Sequence, residues 1–373
     1  MKRTFPFLLL LVLILTGALT MSCSRRTSDG TTTFYLEGVA VPTDSLQNGY
    51  IVIDADANEI IIEVSKEQHF FETYRLTADS ACLTQRYGAR GAGPTELAEA
   101  HLIYYHKPTR NMLLYSGNDM GAQLINLNTK AVYPVTAFRQ NASLWLMKAD
   151  FVNDSIVLVA CVIPNPKNKR QDWFKLLHLP TGRLTDVAGF FPADGFDSPM
   201  MTKQWIYNSS ARLKKHPTRN RFLYGCGDEG LYAEIFNLED NRVINRKVML
   251  DQYPTYQPGE DGISPEGAPD WQLTGFKVSV TSRYIYLLLS RESHGERRAI
   301  TRGQTPDKFK GPGKRTAFSE EILVFDWEGR LCHKLHLNPF VVNIAVTEDD
   351  SLIYGITESE AYEPVLMRYP HIF

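Results

Sequence analysis

Cysteine is scarce: the 373-residue chain has five, and no two of them form a CxxC pair. That removes the thioredoxin-type redox motif and the commonest zinc spacings. The nine histidines (69, 101, 106, 178, 216, 294, 333, 336 and 371) form no HExxH motif, so a zincin-type metal site is not supported. No G-x-S-x-G is present, which leaves the nucleophile elbow of serine hydrolases without support. Charge of one sign is also lacking. The formal net charge is -2, and a protein that grips phosphate backbones normally carries a basic excess, so nucleic acid is not an expected partner. No long amphipathic helical pattern follows residue 23. Neither a metal nor a cofactor is expected.

Aromatic and β-branched residues are plentiful instead, with 18 Tyr and 19 Phe, a composition that favours strands. The strongest apolar runs are "YIVID" (50–54), "MLLYS" (112–116), "SIVLVACV" (155–162), "RFLYGC" (221–226), "YIYLLLS" (284–290) and "SLIYGIT" (351–357). Most are followed by a second run, with turn signals such as Asn-Thr, Thr-Gly and Glu-Gly between. One repeat is literal. "PTRNMLLYSGND" begins at Pro108 and "PTRNRFLYGCGD" at Pro217, and the offset of 109 residues equals two units of the run spacing. Six units fit the chain. A single four-stranded sheet cannot bury both of its faces, whereas six arranged radially cover one another. The expected fold is all-β, a six-bladed β-propeller of four-stranded antiparallel sheets over 34–373, with "TTFYLEGVAV" (32–41) closing the ring beside the last blade. Cys82, Cys161, Cys226 and Cys332 lie in or beside strand-like runs and read as buried free thiols.

The N-terminus carries Lys2 and Arg3, then an apolar run from Phe5 to about Leu19, then small residues before Cys23. The run is short for a membrane span and suits a secretory signal. It resembles a bacterial lipoprotein signal (1–22), which makes Cys23 the lipid attachment site and 23–33 a flexible tether. Membrane contact through that anchor is therefore expected.

"RYGARGAGPTEL" (86–97) has the glycine density of a phosphate cradle but not its template. A dinucleotide fingerprint would need glycine at position 90, where Arg90 stands, and a Walker loop would need a lysine. "GPGKRT" (311–316) fails the same test. The stretch reads as a connector running from the rim of one blade to the axis of the next. Gly88, Gly91 and Gly93 permit irregular backbone, Pro94 removes a donor, and Glu96 accepts from loop N–H groups. These residues resemble the G-x-x-G-x-G-P-x-E signature of TolB-like six-bladed propeller lipoproteins of Bacteroides-type bacteria. "EILVFDWEGRLCHKLHL" (321–337) and "NPFVVNIAVTEDDSLIYGI" (338–356) are similar to the late blades of that family. The resemblance implies a propeller in the cell envelope and assigns no catalytic residue. No acidic run follows Cys23, so an outer-membrane anchor facing the periplasm is expected rather than surface display.

Second-to-third strand loops and rim-to-axis connectors share one face of a propeller. On that face "PNPKNKRQD" (164–172) brings Lys169 and Arg170, and the loop 291–318 has eight basic and three acidic residues, Arg297 and Arg298 among them. The connector 251–272 has five acidic residues, none basic, and Trp271. Either these are solvated loops that neutralise one another, or they frame a recognition face for an anionic or sugar-like ligand, with Arg90, Lys169, Arg170, Trp271, Arg297 and Arg298 as candidate contacts. Asp-Ser followed by a small or aliphatic residue, at 44–46, 79–81, 154–156 and 350–352, is turn chemistry or, in Bacteroides-type exported proteins, resembles O-glycosylation sites. The expected function is that of a lipid-anchored binding or scaffold protein, with an envelope protein or glycan as partner. The alternative is a propeller glycan lyase or hydrolase working at the channel mouth.

Overall fold

A computed structural model describes residues 25–28, 31–44, 46, 49–64, 68–93, 95–100, 102–116, 121–135, 145–162, 173–195, 200–209, 211–227, 230–255 and 268–370. Its strands form six sheets around an axis. Blade one runs Gly49–Ala55, Glu59–Val64, His69–Leu76, Ala81–Ala89, from axis to rim. Blade two comprises Leu102–His106, Asn111–Tyr115, Ala122–Asn126 and Val132–Pro134. Blade three comprises Trp145–Asn153, Ile156–Val162, Phe174–His178 and Arg183–Val187, and blade four Ala211–Lys215, Arg221–Cys226, Leu231–Glu239 and Arg242–Gln252. Blade five holds Phe276–Val280, Tyr284–Leu289, Ser319–Asp326 and Leu331–Val341. Blade six holds Ile344–Val346, Leu352–Glu358 and Pro364–Pro370. The two Pro-Thr-Arg-Asn segments fall in the first turns of blades two and four, so the repeat spans two blades.

The core is divided among the joints between blades. One apolar cluster fills each of the six interfaces; Leu158, Phe174, Leu213 and Phe236 belong to the joint of blades three and four, and Leu223, Ile235, Ile285 and Phe325 to that of four and five. Each fully buried Leu, Ile or Phe contributes roughly 1.5–3 kcal/mol, and in this fold a neighbouring sheet supplies the partner surface. The second strands lie mid-blade and are buried on both faces, which is why they read as unbroken apolar runs.

Ring closure differs from the expected placement of 32–41. Thr31–Glu37 pairs in parallel with the outer strand of blade five, Leu331–Val341. After Gly38 the chain crosses to blade six, where Val39–Ala40 pairs with Pro364–Pro370 as its outer strand. Blade six is therefore completed by the beginning of the chain. At the axis Asn343 acts as a further clasp: its Oδ1 accepts from Val52 N–H at 3.0 Å and its Nδ2 donates to Val52 O at 2.7 Å, across 291 residues. Within the stretch 23–33, Arg25–Ser28 pairs antiparallel with Thr31–Phe34, adding a strand at the edge of the blade-five sheet.

Two short helices occur among the described residues. Helix α1 (Met200–Ser209) lies in the connector between blades three and four. Helix α2 (His294–Thr301) lies in the long loop of blade five and opens with a capping box, in which Ser293 and Glu296 satisfy each other's backbone N–H groups. Among the described residues no helix is long and apolar enough to cross a membrane. Cys82, Cys161, Cys226 and Cys332 are free thiols; Cys161 and Cys226 are buried and the other two are half-buried.

Candidate functional site

The axial channel is not filled by side chains. A chamber of about 660 Å³ occupies it, and all six inner strands contribute to its wall. Inner strands alternate between apolar residues packed into the blade and polar residues turned to the axis. "ARLKK" in blade four is the clearest case, presenting Arg212 and Lys214 to the chamber while Leu213 enters the core. Five cations line the chamber (Lys107, Arg212, Lys214, Lys215 and Lys277), with four carboxylates (Asp54, Glu63, Asp150 and Glu348).

These charges are disposed unequally. Asp54 pairs with Lys107 at 3.1 Å. Asp150 accepts from the backbone N–H of Lys215 at 2.7 Å and of Phe151 at 2.8 Å. Burial pushes both carboxyls up, and the positive charge of Lys214 opposes that at each, so one ammonium serves two acids from the inner strands of blades one and three. Burial pushes Glu63 up to about 7, against the fields of Arg90 and Lys148. Burial likewise lowers Lys215.

His106 and His216 border the chamber at the first turns of blades two and four. His216 Nδ1 accepts from the N–H groups of Thr218 at 3.1 Å and Arg219 at 3.2 Å, its ring packs on Trp327, and burial pushes it down to about 4. It is a neutral turn clamp rather than a proton carrier at neutral pH. Among the described residues, no three His, Cys, Asp or Glu side chains come together as a metal-ligand set.

The candidate loop residues divide. In the glycine stretch Gly91 N–H donates to Leu97 O at 3.1 Å, and Gly93 N–H donates to Glu96 Oε2 at 2.9 Å. A Cβ on Gly91 would lie 2.0 Å from that same oxygen, so the carboxylate closes the loop by occupying side-chain space. Gly88 sits at φ +74, in the region glycine favours. The guanidinium of Arg90 lies 4.2 Å over the Phe70 ring. Pro94, Lys169, Arg170 and Cys23 lie outside the described residues.

Six of the eight basic residues in loop 291–318 are in ion pairs, including Arg297 with Glu292 at 2.9 Å, Lys308 with Glu296 at 2.6 Å, and Arg298 with Asp270. Much of the +5 seen in the sequence is thereby neutralised on the spot. Trp271 is 72% exposed beside α2, whose first N–H groups donate to Gln272 O and Asp270 O. Trp271, Arg297 and Arg298 thus meet at one corner, while Arg90 belongs to the connector between blades one and two.

Sequence reasoning placed recognition on the connector face. The chamber is bordered at its other end by the first turns of blades two, four and six, through Lys107, Pro108, Pro217 and Glu348. The cations of the inner strands were missed altogether. The usable signal was the alternating segment some ten residues upstream of the five apolar runs from 112 onward.

A closed ring of six blades around a charged, unfilled channel defines a six-bladed propeller with an axial cavity. The chain belongs to the family of TolB-like 6-blade propeller-like proteins, whose pattern matches residues 55–349. Its fold is similar to that of a member of the DUF4221 family from Bacteroides vulgatus, with 12% identity, a TM-score of 0.57, and coverage of 92% of this chain and 98% of that one. It is also similar to a putative exported protein from Bacteroides fragilis, with 9% identity, a TM-score of 0.52, and coverage of 91% and 95%. No curated protein matches the chain significantly.

Proposed function

We propose that this propeller is an exported, lipid-anchored binding protein of the cell envelope that takes a small ligand, or a small group borne by an envelope glycan or protein, into its axial chamber. The observation that carries the proposal is the chamber itself. Its volume of about 660 Å³ falls in the range of small-molecule sites, and its wall carries charged groups from several blades. Charged walls around an apolar belt of Ile51, Ile53, Val278 and Ile344 suit a ligand with both polar and apolar parts. The signal-like N-terminus ending at Cys23 supports lipid anchorage, and the lack of an acidic run after Cys23 favours the periplasmic side of the outer membrane. A putative exported protein of similar fold is compatible with that location.

The second reading, a propeller glycan lyase or hydrolase, draws on Glu63. A carboxyl pushed up to about 7 suits proton transfer near neutrality. Asp54 and Asp150, the other deep carboxylates, are already held by Lys107 and by backbone N–H groups, which favours binding over catalysis.

The test is recovery of the full chain from its own membranes, with mass spectrometry of what accompanies it. Lys214→Glu should lose the accompanying ligand, and Cys23→Ser should lose membrane association. Unchanged recovery in Lys214→Glu would count against a chamber ligand.

A further inference from the structure

The chamber wall is divided lengthwise. Among the described lining residues, every isoleucine and valine belongs to blades five, six and one, which are neighbours in the ring. Ile51, Ile53, Val278 and Val280 are half-buried, so part of each side chain is left for the cavity. Opposite them, blades two, three and four contribute Lys107, Asp150, Arg212, Lys214 and Lys215, also half-buried. The division runs from side to side and not from end to end. On the apolar side Ile51 lies toward the connector end of its strand, and Val280 adjoins the first turn of blade five. On the polar side Arg212 and Lys215 stand toward the same two ends of one strand.

Charge on the apolar side is confined to the ends and engaged with backbone. Lys277 Nζ donates to Ala317 O at 3.2 Å, and Glu348 Oε1 accepts from Ser282 N–H at 2.9 Å. The acids of blade one mark the boundary. Asp54 pairs with Lys107 of blade two at 3.1 Å, and Glu63 lies in the fields of Arg90 and Lys148. The polar side itself interleaves cations with acids. Lys214 lies in the fields of both Asp54 and Asp150, and Lys215 Nζ donates to His216 O at 3.3 Å. A formally charged ligand would shed its water against a wall that is already balanced. A hydroxyl avoids that, because it donates to a carboxylate oxygen and accepts from an ammonium at once. The isoleucines and valines opposite offer a dry surface to methylenes.

We infer that the chamber takes a facial amphiphile: a ligand with an aliphatic long side laid against blades five, six and one, and a hydroxyl-bearing long side turned to blades two, three and four. The inference rests on the chamber being a ligand site and names the class of its ligand. A frame that already holds the two sides apart loses least freedom on entry, which favours a fused-ring body over a chain with a polar head at one end.

Equilibrium dialysis of the full chain in lipid nanodiscs tests it, with empty nanodiscs giving the partition background. The probe is cholate below its micellar concentration, a ring system with its hydroxyls on one face. Decanoate carries the same carboxylate on a flexible chain, and maltose lacks an aliphatic side. Saturable binding of cholate is expected, with decanoate weaker by about tenfold or more and maltose without saturable binding. Val278→Asp should weaken cholate about tenfold, the scale of one aliphatic contact replaced by a charge. Ile51→Ser changes a residue outside the six core clusters; it should weaken cholate about fivefold and serves if Val278→Asp misfolds. No saturable cholate binding, decanoate bound as tightly as cholate, or cholate binding indifferent to both variants overturns the inference. The chamber is judged separately, by the ligand recovered from native membranes. Recovery lost in Lys214→Glu while cholate fails to bind keeps the chamber and rejects the facial amphiphile. Recovery indifferent to Lys214→Glu, together with no cholate binding, rejects both.

Discussion

Carboxylates enclosed within the blades and half-buried carboxylates facing the channel are treated differently. Between the strands of the blades, Glu234 is fully enclosed; it accepts from Arg246 Nε and Nη2, both at 2.9 Å, and from the Tyr232 hydroxyl at 2.6 Å. Glu72 is held in the same way by His69, Arg86 and the Tyr74 hydroxyl. In the channel Asp54 has one lysine, Asp150 has two backbone N–H groups, and both share the field of Lys214. A fully matched buried acid fixes one arrangement of its neighbours. An acid facing a cavity with acceptor capacity to spare leaves its surroundings open to a ligand. By this measure the blades spend their charge on structure and the channel keeps it for recognition.

The largest effect that would sharpen this contrast is expected at Glu234. Glu234→Ala strands Arg246 and a buried hydroxyl, and should cost about 3–5 kcal/mol in denaturant unfolding. A loss below about 1 kcal/mol would erase the distinction, since that is the scale of an exposed ion pair. Glu63 should show a smaller effect with a definite sign. Its carboxyl holds a proton up to about 7 in the folded chain against an ordinary value of 4.5. Between those values the folded state binds more protons than the unfolded state, so stability falls as pH rises through the window and levels off above it. Glu63→Gln should flatten that slope in melting temperatures measured from pH 4.5 to 8; an unchanged slope would place Glu63 with the matched acids. The smallest effect belongs to Arg298→Ala. Its partner Asp270 has an 82% exposed side chain, so stability should change by less than about 0.5 kcal/mol.

The blades were legible in the sequence because their second strands are. "SIVLVACV" and "YIYLLLS" are buried on both faces and stand out as apolar runs, and the Pro-Thr-Arg-Asn repeat gave the period. The first run misled in one respect. "YIVID" (50–54) belongs to an inner strand, Gly49–Ala55, while the other five runs are second strands. Inner strands such as "ARLKK" and "FKVSV" mix charge with apolar residues and look like loop margins until the ring is closed. The same holds for the chamber. Asp54 meets Lys107, Asp150 meets Lys215, and Asn343 meets Val52, and each pair is joined only when separate blades converge on the axis. The split of 31–40 between blades five and six depended on which sheet edge lay unpaired, which no local pattern encodes. The capping box of α2 was readable as Ser293 followed by Glu296, yet it was hidden inside a stretch whose charge drew more notice than its spacing.

Whether the axial channel is a ligand site or a gap in packing is tested most directly by native mass spectrometry of the full chain, released gently from its own membranes. A bound mass on the wild-type protein and on Arg298→Gln, absent from Lys214→Glu, is the predicted result. The bare chain mass in all three, or the same added mass on Lys214→Glu, would contradict it.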